Sequence, residues 1–252
     1  MTKEVIVIIP ARYSSQRLPG KPLVNIGGKP LIQRVFERAL QIKNANEVII
    51  VTDNHLVESA AKTFHANVMM SPSNISSGSE RVGFVAKNLD AEIIVNLQGD
   101  EPFISTEAID EAILVLKNDT LINISTLAFP LKSEDEWQNP SVVKVLVDNE
   151  MNAIYFSRSQ IPFFRNEKFH PLQQLLKHIG AYVFRKEFLM EFLEWEETPL
   201  EKIEKLEQLR ILEKGYKVRV IKTDKNSLGI DTPEDVTYIE ELIKNRGLSF
   251  EV

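Results

Sequence analysis

An α/β fold with a doubly wound, mostly parallel sheet is predicted by three features of this sequence. Apolar runs of strand length alternate with amphipathic stretches of helix length through the first half of the chain. The first run, Val5–Ile9, is apolar throughout and long enough for one buried strand. The polar, charge-bearing loops fall at or beside the strands' carboxyl ends, where ligands bind in such sheets.

Taken in order, Val5–Ile9 is the first strand. It is expected to stop at Pro10, which has no N–H for a ladder. A basic loop follows, and Gly27 and Gly28 mark a turn. Pro30 suits the first turn of a helix to about Lys43, with Leu31, Val35, Ala39 and Ile42 on one face. Glu47–Val51 is the second strand, and Asp53 or Asn54 caps a helix through Phe64. Ala66–Met70 is the third strand. After the loop Ser71–Gly78, Ser77 or Ser79 caps a helix through about Asn88. Glu92–Leu97 is the fourth strand and Thr106–Lys117 the next helix. Helices of this length between strands imply parallel pairing. The middle changes character. Leu121–Pro130 is a strand, and Ser141–Arg158 reads as a hairpin turning at Asp148–Asn149. An aromatic-rich loop, Phe163–Lys177, leads to a strand beginning at His178. Pro199–Lys214 is a single helix with Ile203, Leu206, Leu209 and Leu212 apolar. Val218–Ile221 is the last strand, and Thr232 with Pro233 opens the final helix.

Composition narrows the function. The 252 residues suit one large domain, or one with an inserted lobe, and 43% hydrophobic content suits a sizeable core. There is no apolar run of membrane-spanning length, and Lys3 and Glu4 lead straight into a strand rather than a signal peptide. Zero cysteines exclude disulfides and thiolate metal sites and fit a cytoplasmic protein. A net charge of −6 argues against general nucleic-acid binding. Yet residues 1–43 hold eight Lys/Arg and only two Asp/Glu, a local field that would draw in a small anion.

Three segments carry chemistry. The loop within IVIIPARYSSQRLPGKPL (Ile6–Leu23) bears Arg12, Ser14, Ser15, Arg17 and Lys21, a set suited to a polyanion such as a triphosphate. It is neither a Walker A loop nor a dinucleotide fingerprint. NLQGDEP (Asn96–Pro102) directly follows a strand, so Asp100 and Glu101 lie on the ligand side, where a carboxylate can bind Mg²⁺, an ion that bridges phosphates. SSGSER (Ser76–Arg81) opens a helix. Its hydroxyls and glycine form either a nest for an anion or base edge, or an ordinary cap with Glu80.

PARYSSQRLPGKPL resembles the first motif of the sugar-acid cytidylyltransferases, the family that activates 3-deoxy-D-manno-octulosonate (Kdo) and the acylneuraminates. QGDEP is similar to its second motif, and SGSER to its SGTER segment with Ser79 in place of Thr. SRSQIP (157–162), HIGAYVFR (178–185), LEQLR (206–210) and GIDTPEDV (229–236) resemble later family segments. The likeness runs in family order from about Val5 to Val236.

That resemblance implies a Rossmann-like nucleotidyltransferase fold over 1–252, with a smaller dimerisation and sugar-binding lobe at about 130–215. It implies a cytoplasmic homodimer that moves CMP from CTP to Kdo, for lipopolysaccharide synthesis, with Mg²⁺ as cofactor. Arg12, Lys21 and Asp100 are then the catalytic set. Arg12, Ser15, Arg17, Lys21, Ser79 and Arg81 bind nucleotide. Gln98, Arg158, His178, Glu207 and Gln208 bind the sugar acid, and Asp100 and Asp231 hold the metal. An acylneuraminate or an amino analogue of Kdo is the alternative substrate, and a non-catalytic nucleotide-binding protein the alternative class. Without an ion, Asp100 and Asp231 would repel by roughly 4 kcal/mol at about 4 Å and an effective dielectric near 20. Asn at either position is therefore expected to stabilise the ligand-free protein slightly.

Overall fold

The computed structural model describes residues 4–15, 17–75, 77–165, 169 and 175–246. They fall into two compact units, residues 1–110 with 226–252, and residues 111–225.

In the first unit, strand β1 (Val5–Ala11) leads through the basic loop to a small hairpin, β2 (Asn25–Ile26) and β3 (Lys29–Pro30). Gly27 and Gly28 both have positive φ at its turn, as a two-residue hairpin loop requires. Helix α1 (Leu31–Ala39), β4 (Glu47–Thr52), α2 (His55–Thr63), β5 (Asn67–Met70), α3 (Gly78–Ala86) and β6 (Ile93–Leu97) follow. The strands lie in the order β6-β1-β4-β5, all parallel. Val5 to Ile9, Ile49 to Val51 and Ile93 to Val95 are buried, so this sheet is covered on both faces, as a parallel sheet must be.

Two boundaries differ from expectation. β1 continues through Pro10 to Ala11. Its ladder with β6 ends at Ile8, and only β4 accompanies it further, so Pro10 sits where a missing N–H breaks no bond on the β6 side. Helix α1 starts after Pro30, which belongs to β3, and ends at Ala39 rather than near Lys43. The Asp110 carboxylate takes the N–H groups of Lys43 (3.1 Å) and Asn44 (2.7 Å), drawing that segment out of helix.

Helix α4 (Thr106–Asn118) crosses the boundary between the units. The second unit holds β7 (Ile124–Pro130), α5 (Glu134–Gln138), β8 (Lys144–Val147), β9 (Ala153–Ser157), β10 (Leu176–Arg185), α6 (Lys186–Leu193), α7 (Pro199–Glu204), α8 (Gln208–Glu213) and β11 (Arg219–Lys222). β7 pairs antiparallel with β10 and parallel with β11, and the β8–β9 hairpin joins β10 through β8. Helix α6 lacks an early sequence signal and is held by buried Phe188, Leu189 and Phe192. The single helix expected over Pro199–Lys214 is two, broken at Lys205 in the left-handed region (φ 54°). Of the aromatic loop, 166–168 and 170–174 lie outside the described residues. Its Phe164, Phe169 and Leu175 pack with Leu131 and Trp137. Helix α9 (Pro233–Arg246) returns to the first unit, with Thr232 Oγ1 accepting the Asp235 N–H at 3.2 Å.

Candidate active site

In the first unit a pocket is lined by Pro10, Arg12, Ser14, Ser15, Arg17, Lys21, Arg81, Gln98, Asp100 and Asp231, among others. Three segments build it. The basic loop leaves the end of β1 and closes with Gly20 N–H on Tyr13 O (3.3 Å) and Leu18 N–H on Ser15 Oγ (3.3 Å). The QGDEP turn leaves β6 and passes over the β1 end. A Cβ on Gly99 would lie 2.7 Å from the Pro10 carbonyl oxygen, so only glycine permits this approach. The third segment, ending at Asp231, docks with Ile230 N–H on Asp100 O at 2.9 Å.

These segments meet at one ammonium. Lys21 Nζ donates to Asp231 Oδ1 (2.7 Å) and to Asp100 Oδ2, and Arg17 Nη2 donates to Asp231 Oδ2 (3.0 Å). The repelling carboxylate pair expected without an ion is therefore absent, because Lys21 stands between the two acids. Burial pulls the Lys21 value down, but the Asp100 and Asp231 carboxylates outweigh it and the net shift is upward. Burial pushes Asp100 up, against the pull of Lys21. Burial also acts upward on Asp231, yet Lys21 and Arg17 leave its value lowered. Glu101, behind Asp100, is pushed up to about 7 by burial and the Asp100 charge.

Mg²⁺ suits this donor set. Among the described residues no cluster of three or more His, Cys, Asp or Glu is placed to hold a metal. Two neighbouring carboxylates opening on a cationic pocket match an ion that keeps waters and takes phosphate oxygens for its other positions.

The remaining nucleotide candidates sit differently. Ser79 is fully buried, accepts from Asn96 Nδ2 at 3.2 Å and does not line the pocket. Gln98 donates to Asn96 Oδ1 (3.3 Å), so a chain of polar groups underlies the pocket. Arg81, 1% exposed, reaches Ser71 Oγ, Asp53 Oδ2 (3.0 Å) and Ile75 O (3.1 Å), bracing the loop before α3. Ser77 and Glu80 form the reciprocal cap of α3, and Ser76 lies outside the described residues.

Of the sugar-side candidates, Gln98 lines the first-unit pocket, and His178, Arg158, Glu207 and Gln208 lie in the second unit. His178 packs between Phe156 and Tyr182, with both ring centroids 5.3 Å away. Its Nε2 is 2.8 Å from Thr126 Oγ1, and that hydroxyl's one proton goes to Ala181 O at 2.7 Å. Nε2 therefore carries the hydrogen and donates, which leaves Nδ1 as the acceptor nitrogen. Burial holds His178 neutral, down at about 3. Tyr182 is raised well above its ordinary value, first by burial and then by the Glu207 charge. Gln208 is 3% exposed, and its Nε2 has no partner among the described residues. Arg158 is engaged with its own unit, Nε on Glu204 O (2.9 Å) and Nη1 on Pro140 O (3.1 Å).

Sequence reasoning missed the partners. In the sequence Asp53 shares only a helix-cap signal with Asn54, and Thr126 and Glu204 carry no motif. Asn96, at the head of NLQGDEP, was legible as an inward polar residue in an apolar strand, and that was its signal.

Residues 6–220 match the family model described as cytidylyltransferase. The chain is 44% identical to the 3-deoxy-manno-octulosonate cytidylyltransferase of Geotalea daltonii, covering 97% of this chain and all of that one. It is 45% identical to the same enzyme of Geobacter metallireducens, over 94% of this chain and 97% of the relative. The solved structure of a CMP:2-keto-3-deoxy-manno-octonic acid synthetase complexed with CTP superposes with a TM-score of 0.90 at 37% identity, covering 96% and 99% of the two chains. With its motifs in order and its likeness spanning nearly the whole length, this chain belongs to the cytidylyltransferase family, on its 3-deoxy-manno-octulosonate branch.

Proposed function

We propose that this enzyme transfers CMP from CTP to Kdo and releases diphosphate. The observation that carries the proposal is the meeting of Lys21 with Asp100 and Asp231, 79 and 210 residues away, on the pocket that also holds Arg12 and Arg17. The activity named for relatives of this similarity, and the CTP bound to one of them, support it.

In the reaction the 2-hydroxyl oxygen of Kdo forms a bond to the α-phosphorus. The bond from that phosphorus to the bridging oxygen breaks, diphosphate leaves with the electron pair, and the hydroxyl proton is lost. Arg12, Arg17 and Lys21 hold the triphosphate and take up charge developing on the leaving group. Asp100 and Asp231 would hold Mg²⁺, which supplies charge neutralisation at the α-phosphate. Gln98 and His178, through Nδ1 or a water, are assigned to the sugar acid with Arg158, Glu207 and Gln208, and Ser79 and Arg81 shape the cytosine side. Catalysis is then positioning and electrostatics.

Among the described residues no helix is long and apolar enough to cross a membrane. We place the enzyme in the cytoplasm, where CTP is made, as a homodimer supplying lipopolysaccharide assembly. Diphosphate release from CTP should be measured with Kdo, its 8-amino analogue and N-acetylneuraminate. The expected result is Mg²⁺-dependent release with Kdo as the best acceptor. Preference for either other acid would overturn the substrate assignment, and no release with any would overturn the activity.

A further inference from the structure

Asp231 ends an irregular strap, residues 226–231, that carries no helix or strand. Locally its N–H is held by Asp235 Oδ2 at 2.9 Å, a backbone bond that leaves open where its carboxylate stands relative to Asp100. The structure ties the strap to the QGDEP turn at two points. One is the backbone bond from Ile230 to Asp100 O. The other is a side-chain bond, Ser227 Oγ donating to Glu101 Oε2, between residues 126 apart in sequence. Gly229 lies between these points and against the same acid, since a Cβ there would sit 3.4 Å from Glu101 Oε1. The turn thus presents two adjacent acids in different ways. Asp100 faces Lys21 and the pocket, and Glu101 grips the strap.

We propose that the Glu101–Ser227 hydrogen bond is a clasp that sets Asp231 beside Asp100, making Glu101 and Ser227 positioning residues for the metal pair. The inference rests on the reading of Asp100 and Asp231 as metal ligands. Ile230 is fully buried and its backbone bond survives loss of the clasp, so the strap stays docked. What loosens is the aim of Asp231, whose side chain is already 44% exposed and held otherwise by Lys21 and Arg17. Both cations are also claimed by the triphosphate, so the clasp is a side-chain tether that does not compete with substrate, beside the backbone bonds of Ile230 and Asp231. Groups that orient metal ligands from behind commonly change affinity 10–100-fold when removed.

The test uses the full-length enzyme with saturating CTP and no sugar acid, titrated with Mn²⁺ and followed by water-proton relaxation. Ser227→Ala should weaken Mn²⁺ binding about tenfold, and Ser227→Thr, which keeps the hydroxyl, should restore it. CTP affinity in EDTA should be unchanged, and diphosphate release by Ser227→Ala should recover at high Mg²⁺. Asp231→Asn is the control. If it abolishes Mn²⁺ binding while Ser227→Ala leaves it intact, the clasp is wrong and the metal reading stands. If neither Asp100→Asn nor Asp231→Asn changes Mn²⁺ binding, the metal reading fails and takes the clasp with it. A Ser227→Ala enzyme that loses CTP affinity and melting temperature together with Mn²⁺ has a structural bond only, which also overturns the proposal.

Discussion

Lys21 joins three segments through one ammonium, so its loss should be felt twice. Lys21→Ala should slow diphosphate release by about 10²–10³-fold, the usual cost of one preorganised charge contact. It also removes the cation between Asp100 and Asp231, leaving Arg17 on Asp231 alone, so the melting temperature should fall, and Mg²⁺ should recover part of the loss. Thermal scans with and without Mg²⁺ decide this, and an unchanged midpoint would count against the shared ion pair. Asp231→Asn, expected from sequence to stabilise the ligand-free protein, should instead be neutral or slightly destabilising, because it removes a half-exposed partner of two cations. The basic loop and both acids were legible as residues. Their sharing of one ammonium was not, since it depends on where distant loops dock. His178 offers a pH test. Its folded value, about 3, lies below the ordinary 6.5. Between these values the unfolded chain binds a proton that the folded chain does not, so stability falls as pH drops from 6.5 towards 3. His178→Gln keeps a donor for Thr126 but does not titrate. Its urea midpoint should fall less between pH 7 and pH 5 than that of the wild type, and parallel falls would refute the burial effect.

At the scale of elements, the sharpest departure is the break between α7 and α8. The apolar spacing of Ile203, Leu206, Leu209 and Leu212 fits one helix, yet Ile203 is 77% exposed. The reason is tertiary. The Glu204 carboxylate accepts from Ser157 Oγ (2.5 Å) and Arg158 N (2.9 Å), and its carbonyl from Arg158 Nε, so the end of β9 captures this residue and stops the helix. Lys205 then turns in the left-handed region, which costs a non-glycine residue about 1–2 kcal/mol. Lys205→Gly should relieve this, less about 0.5–1 kcal/mol for glycine's greater freedom when unfolded. Equilibrium unfolding should show a net gain of about 0.5–1 kcal/mol with diphosphate release unchanged, and a clear loss would contradict the strain. The cap of α3 fared differently. Ser77 and Glu80 satisfy each other within one helical turn, and a pattern so local could be read directly.

For the whole molecule the question is its partner. The second unit leaves Phe163 83% and Ile154 60% exposed, besides Ile203. Exposed apolar side chains mark an association surface where they adjoin, which the homodimer reading requires of these. Light scattering should give twice the chain mass of 28.8 kDa, and Ile154→Lys with Ile203→Lys should shift it towards one chain. A wild-type monomer would refute the homodimer. By itself the sequence determined the α/β class, the parallel first sheet, the charged loop and the order of the family motifs. Each of these is written in short-range periodicity, composition or contiguous residues. Only the tertiary structure decided that Lys21 stands between the two acids, that Arg81 and Arg158 brace their own units, that Thr126 sets the tautomer of His178, and that Glu101 grips Ser227. Those facts follow from contacts between segments far apart in the chain. A side chain's partner there depends on how buried polar groups across the whole fold find their hydrogen bonds, and no local pattern specifies that.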